Sequence, residues 1–136
     1  MTHVAPQSSF TRQEVRTDGA PLPIGAYSQA IRTGNLVFLS AQAPISPVTN
    51  TVEADTFEGQ MKQSLDNLVA VSTAAGGSLA HITKVTALIT DFANFPVLNA
   101  MMEAYFPRPY PARTTAAVVG LPKNTLIAIE AVMVLP

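Results

Sequence analysis

Between Asp55 and Gly77 the chain reads as one amphipathic helix, and everything else must pack against it. Asp55-Thr56-Phe57-Glu58 has the spacing of a capping box, which places the start near Thr56. Apolar positions Phe57, Met61, Leu65, Leu68, Val69 and Ser72/Ala75 then recur with the 3.6-residue period of a helix. Gly76-Gly77 supplies the left-handed stop expected just past a helix C-terminus. Gly59, in the first turns, costs about 1 kcal/mol relative to alanine without ending the helix.

The flanking segments alternate between strand and helix signals. Residues 1–9 form a loose polar lead-in, and residues 10–136 form a single domain that opens with an edge-strand candidate from Phe10 to Val15. Asp18-Gly19-Ala20-Pro21-Leu22-Pro23 breaks that strand, because two prolines and a glycine cannot continue a ladder. Tyr27 to Ile31 and Leu36 to Leu39 then read as a hairpin, with Gly34-Asn35 as the positive-φ positions of its turn. Ala43 to Asn50 is a loop. Val85 to Ile89 is a buried strand candidate, followed by a second helix from about Phe95 to Phe106, with Asp91 and Asn94 as caps and Pro96 in its first turn. The prolines from Pro107 to Pro111 end it. Two last strands run from about Thr114 to Val119 and from Thr125 to Val134. The order β-β-β-α-β-α-β-β predicts one α+β domain, with both helices on one face of a mixed sheet.

Composition narrows the function classes. With no cysteine, disulfide scaffolds, thiol nucleophiles and thiolate metal sites are excluded. The two histidines, His3 and His81, have no ligand-like spacing, so no metal and no cofactor are expected. Net charge is −1 with no basic run, which argues against nucleic-acid binding. No apolar run reaches the roughly 18 residues of a membrane span, and no basic segment precedes an apolar one at the N-terminus. A cytosolic protein without membrane partners is the expectation. Charged residues make up 12% of the chain, about half the roughly 25% usual for soluble domains. So few charges leave apolar surface exposed unless subunits cover it, which predicts a homo-oligomer.

Arg113, in Pro111-Ala112-Arg113-Thr114-Thr115, is the most suggestive cation. Its planar fork binds carboxylates in a bidentate way and suits a small anionic ligand. A partly buried guanidinium must be paired, so a structural ion pair with Glu103 or Glu130 is the competing reading.

Five strings together resemble one family. They are Gly25-Ala26-Tyr27-Ser28-Gln29-Ala30, Asn35-Leu36-Val37-Phe38-Leu39-Ser40-Ala41-Gln42-Ala43-Pro44, Gln63-Ser64-Leu65-Asp66-Asn67-Leu68, Phe95-Pro96-Val97-Leu98-Asn99-Ala100 and Pro111-Ala112-Arg113-Thr114. In this order, and in a chain of this length, they are similar to the YjgF/RidA (Rid) family along nearly the whole sequence. The resemblance implies a chorismate-mutase-like α+β subunit in a homotrimer with clefts between neighbouring subunits. It also implies cofactor-independent hydrolysis of reactive 2-enamino and 2-imino acids, such as 2-aminoacrylate or 2-iminobutanoate, to 2-oxo acids and ammonia.

By the same resemblance Arg113 clamps the substrate carboxylate, while Tyr27, Ser40, Ala41, Asn99 and Thr115 line the cleft. Tyr27, Ser40 and Asn99 each have a structural alternative. Tyr27 can be a packed ring with a satisfied hydroxyl, Ser40 a strand-end hydroxyl on local backbone, and Asn99 a solvent or cap partner. The last strand departs from the family pattern I-E-I-E, reading Ile127-Ala128-Ile129-Glu130. Ala128 stands where the family has the glutamate that handles water; Glu130, two residues on, points to the same face and is a catalytic candidate through a bridging water, though the resemblance does not assign it the missing role. Losing one general acid/base group typically costs about 10²–10⁴ in rate, so a binder of small carboxylates without turnover is the alternative function. Ala26 for proline, Ala41 for glycine, Thr115 for a frequent cysteine and Met102 for a frequent tyrosine are gentler departures. Some relatives carry a ribonuclease or translation-inhibitor label, which the missing basic stripe does not support.

Overall fold

A computed structural model describes residues 11–136; the lead-in at residues 1–9, and Phe10, lie outside the described residues. Six strands and two helices follow in the expected order. They are β1 Gln13–Val15, β2 Ala30–Thr33, β3 Leu36–Gln42, α1 Phe57–Ala74, β4 Ile82–Ile89, α2 Phe95–Tyr105, β5 Ala112–Ala117 and β6 Ile127–Val134. The strands form one mixed sheet in the order β1-β2-β3-β6-β4-β5. Only β4 and β5 pair in parallel, with α2 as their crossover.

Both helices bury one stripe against the same face. Met61, Leu65, Leu68 and Val71 of α1 and Leu98 and Met102 of α2 join Val37, Leu39, Val85, Ile89, Ile127, Ile129 and Met133 of the strands in a single core. Strand alternation then assigns the other face. Phe38, Val132 and Lys84 lie side by side there, as do Glu130 and Thr86.

Local chemistry explains the helix ends. Thr56 is the N-cap of α1, its Oγ1 accepting from Gly59 N at 3.1 Å. Gly59 is required at that position, because a Cβ there would meet the Ala54 Cβ at 2.8 Å. Gly76, at φ 96°, donates to the Thr73 carbonyl, and Gly77 donates to the Ser72 carbonyl. That pair of bonds is the Schellman stop.

Several boundaries differ from the sequence reading, each for a physical reason. Thr56 rather than Asp55 caps α1, so its third helical residue is Gly59 and no reciprocal glutamate bond forms. Val71 faces the core, while Val69 sits on the exposed flank of α1. Tyr27 precedes the hairpin instead of starting it, because residues 24–26 bend and β2 begins at Ala30. Gly34 takes φ 61° in the β2–β3 turn without a positive φ at Asn35, the pattern of a turn needing glycine only first. A 3-10 turn, Phe92–Asn94, precedes α2, and Asp91 caps that turn while the Asn94 side chain makes no cap bond. The strand β5 begins at Ala112, so Arg113 lies inside the ladder rather than before it.

Candidate functional site

Arg113 ends a cross-strand row whose other members, Val85, Ala131, Leu39, Ala30 and Val15, are buried and apolar. Its side chain is therefore on the helix side of the edge strand β5, under α2. There Nη1 donates to Asn99 Oδ1 at 3.0 Å, and the guanidinium lies 5.4 Å from the Phe95 ring centroid. Phe95 and Asn99 stand one helical turn apart, so α2 presents both to the same cation. Among the described residues Arg113 forms no ion pair; the one that forms is Lys62–Asp66. The competing reading, an ion pair with Glu103 or Glu130, is thus not formed among the described residues.

The guanidinium opens into a cavity of about 400 Å³ lined by Asn99, Met102, Glu103, Tyr110, Pro111 and Arg113. Asn99 Nδ2 donates to Glu103 Oε1 at 3.4 Å, so one amide links the arginine to a carboxylate. Thr115 shares the Arg113 face of β5, and its Oγ1 is buried without a hydrogen-bond partner. Such a hydroxyl is a free donor or acceptor beside the anchor.

Tyr27, Ser40 and Ala41 gather elsewhere. Leu39 pairs with Ala131 and Gln42 with Ile129, so Ser40 and Ala41 together oppose Glu130 as a β-bulge. Ser40 Oγ donates to the Ser28 carbonyl at 2.6 Å, and its N–H donates to the Gln29 carbonyl at 2.9 Å. The local-backbone reading of Ser40 thus holds within one chain, where it ties the Tyr27 segment to β3. Tyr27 is half exposed and borders a small hollow with Ala41 and Ile24; its hydroxyl accepts from Ile24 N at 3.5 Å. It is not the packed ring of the structural alternative.

The candidate residues thus form two groups. Strand β3 is three places from β5 in the sheet, about 14 Å at ordinary strand spacing. Glu130 and Ala128 belong to a third position, on the face away from the helices. Glu130 is exposed beside Thr86 and Lys84, and Ala128 is buried outside the main core. Glu130 therefore cannot reach the Arg113 cavity within its own chain.

Phe95, Tyr110 and the cavity position of Glu103 were not read as site features from sequence. The available signal was the helical spacing of Phe95, Asn99 and Glu103, which puts all three on one side of α2. Among the described residues no group of three metal-ligating side chains comes together, and no helix is long and apolar enough to cross a membrane.

A family model described as Endoribonuclease L-PSP matches residues 17–135. A 2-iminobutanoate/2-iminopropanoate deaminase of Escherichia coli is 40% identical over 123 residues, covering 88% of this chain and 95% of the relative. The protein of the same name from Dermatophagoides farinae is 38% identical over 121 residues, covering 89% and 94%. Among solved structures, RidA from an Antarctic Psychrobacter superimposes with a TM-score of 0.89 at 39% identity, covering 91% of this chain and all of that one. The YjgF gene product of Escherichia coli gives 0.86 at 38% identity, covering 90% and 98%. Fold, motif order and these likenesses agree, and the chain belongs to the YjgF/RidA (Rid) family.

Proposed function

We propose that the protein is a cytosolic, cofactor-independent hydrolase that deaminates small 2-imino and 2-enamino acids to 2-oxo acids and ammonia. Close relatives bear the name of that activity. The observation that carries the reading is Arg113, a half-buried guanidinium held by a neutral amide with no carboxylate partner among the described residues. A structural arginine would be neutralised by its own chain, whereas this one keeps a charge available for a ligand carboxylate.

Two further features support a homotrimer with clefts between subunits. The Tyr27–Ser40–Ala41 group and the Asn99–Arg113–Thr115 group do not meet in one chain, and a second copy would bring them together. The sheet face away from the helices also exposes Phe38, Leu36 and Val134, an apolar surface suited to a neighbouring copy. In that assembly Arg113 orients the carboxylate, and Tyr27, Ser40 and Thr115 offer hydroxyls to the imine nitrogen and to water. The imine carbon is already electrophilic, so orientation and proton transfer are the remaining requirements.

Ala128 favours a second reading. With a methyl group in the family's water-handling position, the same cleft would bind small carboxylates without turning them over. Generating 2-iminobutanoate in situ and following its loss separates the two. Acceleration over the spontaneous rate supports the deaminase. Binding of 2-oxobutanoate without acceleration supports the binder.

A further inference from the structure

We infer that Glu103 is the carboxylate that handles water in this protein. The inference rests on the deaminase reading and supplies the function lost at Ala128.

Glu103 and Arg113 share one cavity wall, and Asn99 lies between them. The arginine requires an acceptor and receives Asn99 Oδ1; the glutamate requires a donor and receives Asn99 Nδ2. Both charges are held near each other without cancelling, since Arg113 and Glu103 form no ion pair. Glu103 Oε2 has no hydrogen bond among the described residues, and the side chain is exposed to solvent. One carboxylate oxygen is thus positioned by the amide while the other faces water.

The other candidates for the role are badly placed. Ala128 has no proton acceptor. Glu130 lies on the opposite face of the sheet, on β6, two strands away from the anchor on β5, and it borders Lys84 and Thr86. Glu103 is the carboxylate that lines the anchor's own cavity.

The chemistry matches the wall. A 2-imino acid carries its carboxylate directly on the electrophilic carbon, C2, so anchoring by Arg113 brings that centre into the same cavity. Glu103 takes a proton from water as the water oxygen bonds to C2, and the C=N π pair moves to nitrogen, which is protonated from solvent. Glu103 then returns its proton to the amine of the carbinolamine. The C–N bond breaks, ammonia leaves, and the hydroxyl loses its proton to give the 2-oxo acid. Water and imine are consumed one for one.

Glu103→Gln is the discriminating variant, because glutamine keeps an oxygen acceptor for Asn99 Nδ2 and removes only the proton acceptor. The purified full-length variant is compared with wild type in 2-iminobutanoate hydrolysis, thermal melting and 2-oxobutanoate binding. The expected result is a kcat lower by about 10²–10⁴-fold, with melting unchanged and with KM and 2-oxobutanoate affinity within about threefold of wild type. An active wild type with a variant kcat within about threefold overturns this inference alone. So does a variant whose lost rate is matched by lost 2-oxobutanoate affinity, since Glu103 would then merely support Arg113. An inactive wild type overturns the deaminase reading and this inference together.

Discussion

Arg113 and Asn99 are joined by a single 3.0 Å hydrogen bond from guanidinium to amide, across the gap between β5 and α2. A neutral partner orients the cation without neutralising it. Asn99→Asp would place a carboxylate in that position and close the anchor internally. The expected outcome is a higher melting temperature together with at least a tenfold loss of 2-oxobutanoate affinity by calorimetry. Arg113→Lys keeps the charge but loses the planar fork, and affinity should fall about 10-fold or more, since a hydrogen bond to a charged group contributes about 1.5–3 kcal/mol.

Gln29 fastens the segment that leads to Tyr27. It is 2% exposed; its Oε1 accepts from Thr17 N, and its Nε2 donates to the carbonyls of Thr17, Ala20 and Pro21. Gln29→Leu fills the space but leaves those backbone groups without partners. At about 1–3 kcal/mol for each buried group left unsatisfied, a loss of about 2–4 kcal/mol in urea denaturation is expected.

Asp66 couples α1 to α2 and sets an alkaline limit. Burial, and then its hydrogen bond to Asp66, push the Tyr105 phenol above its ordinary 10.0. The Asp66 hydrogen bond likewise raises Lys62 above 10.5. A group whose pKa is higher folded than unfolded contributes stability that is complete below the unfolded value and lost as pH rises through the folded one. Melting temperature should therefore hold from neutrality to about pH 9 and fall above about pH 10. Tyr105→Phe should flatten the tyrosine part of that fall, and a fall of unchanged depth in the variant would exclude it.

Phe38 is 47% exposed on the sheet face away from the helices, between Ile31 and Val132. If neighbouring copies cover this face, sedimentation equilibrium gives three times the mass of one chain. Phe38→Glu should then release monomers that retain the secondary structure by circular dichroism.

Much of this molecule was legible locally. Thr56 and Gly76 mark the ends of α1 because caps are satisfied within a few residues of sequence. The choice between Val69 and Val71 was not legible, since it depends on how the helix is rotated against a sheet assembled from distant segments. The same holds for β5. Val118 and Val119 favour strands by composition, but β4 ends at Ile89 and leaves no ladder beyond Ala117. The site was readable as residue types and unreadable as geometry. Arg113 and Glu130 fall on opposite faces only because β4 stands between β5 and β6 and fixes both registers.

The central claim is that Arg113 holds a substrate that is then hydrolysed. The most direct measurement is the rate of 2-iminobutanoate loss at equal concentrations of wild type and Arg113→Ala, against the spontaneous rate. The account predicts clear acceleration by wild type and a return to the spontaneous rate in the variant. Equal acceleration by both proteins, or none by wild type, would contradict it.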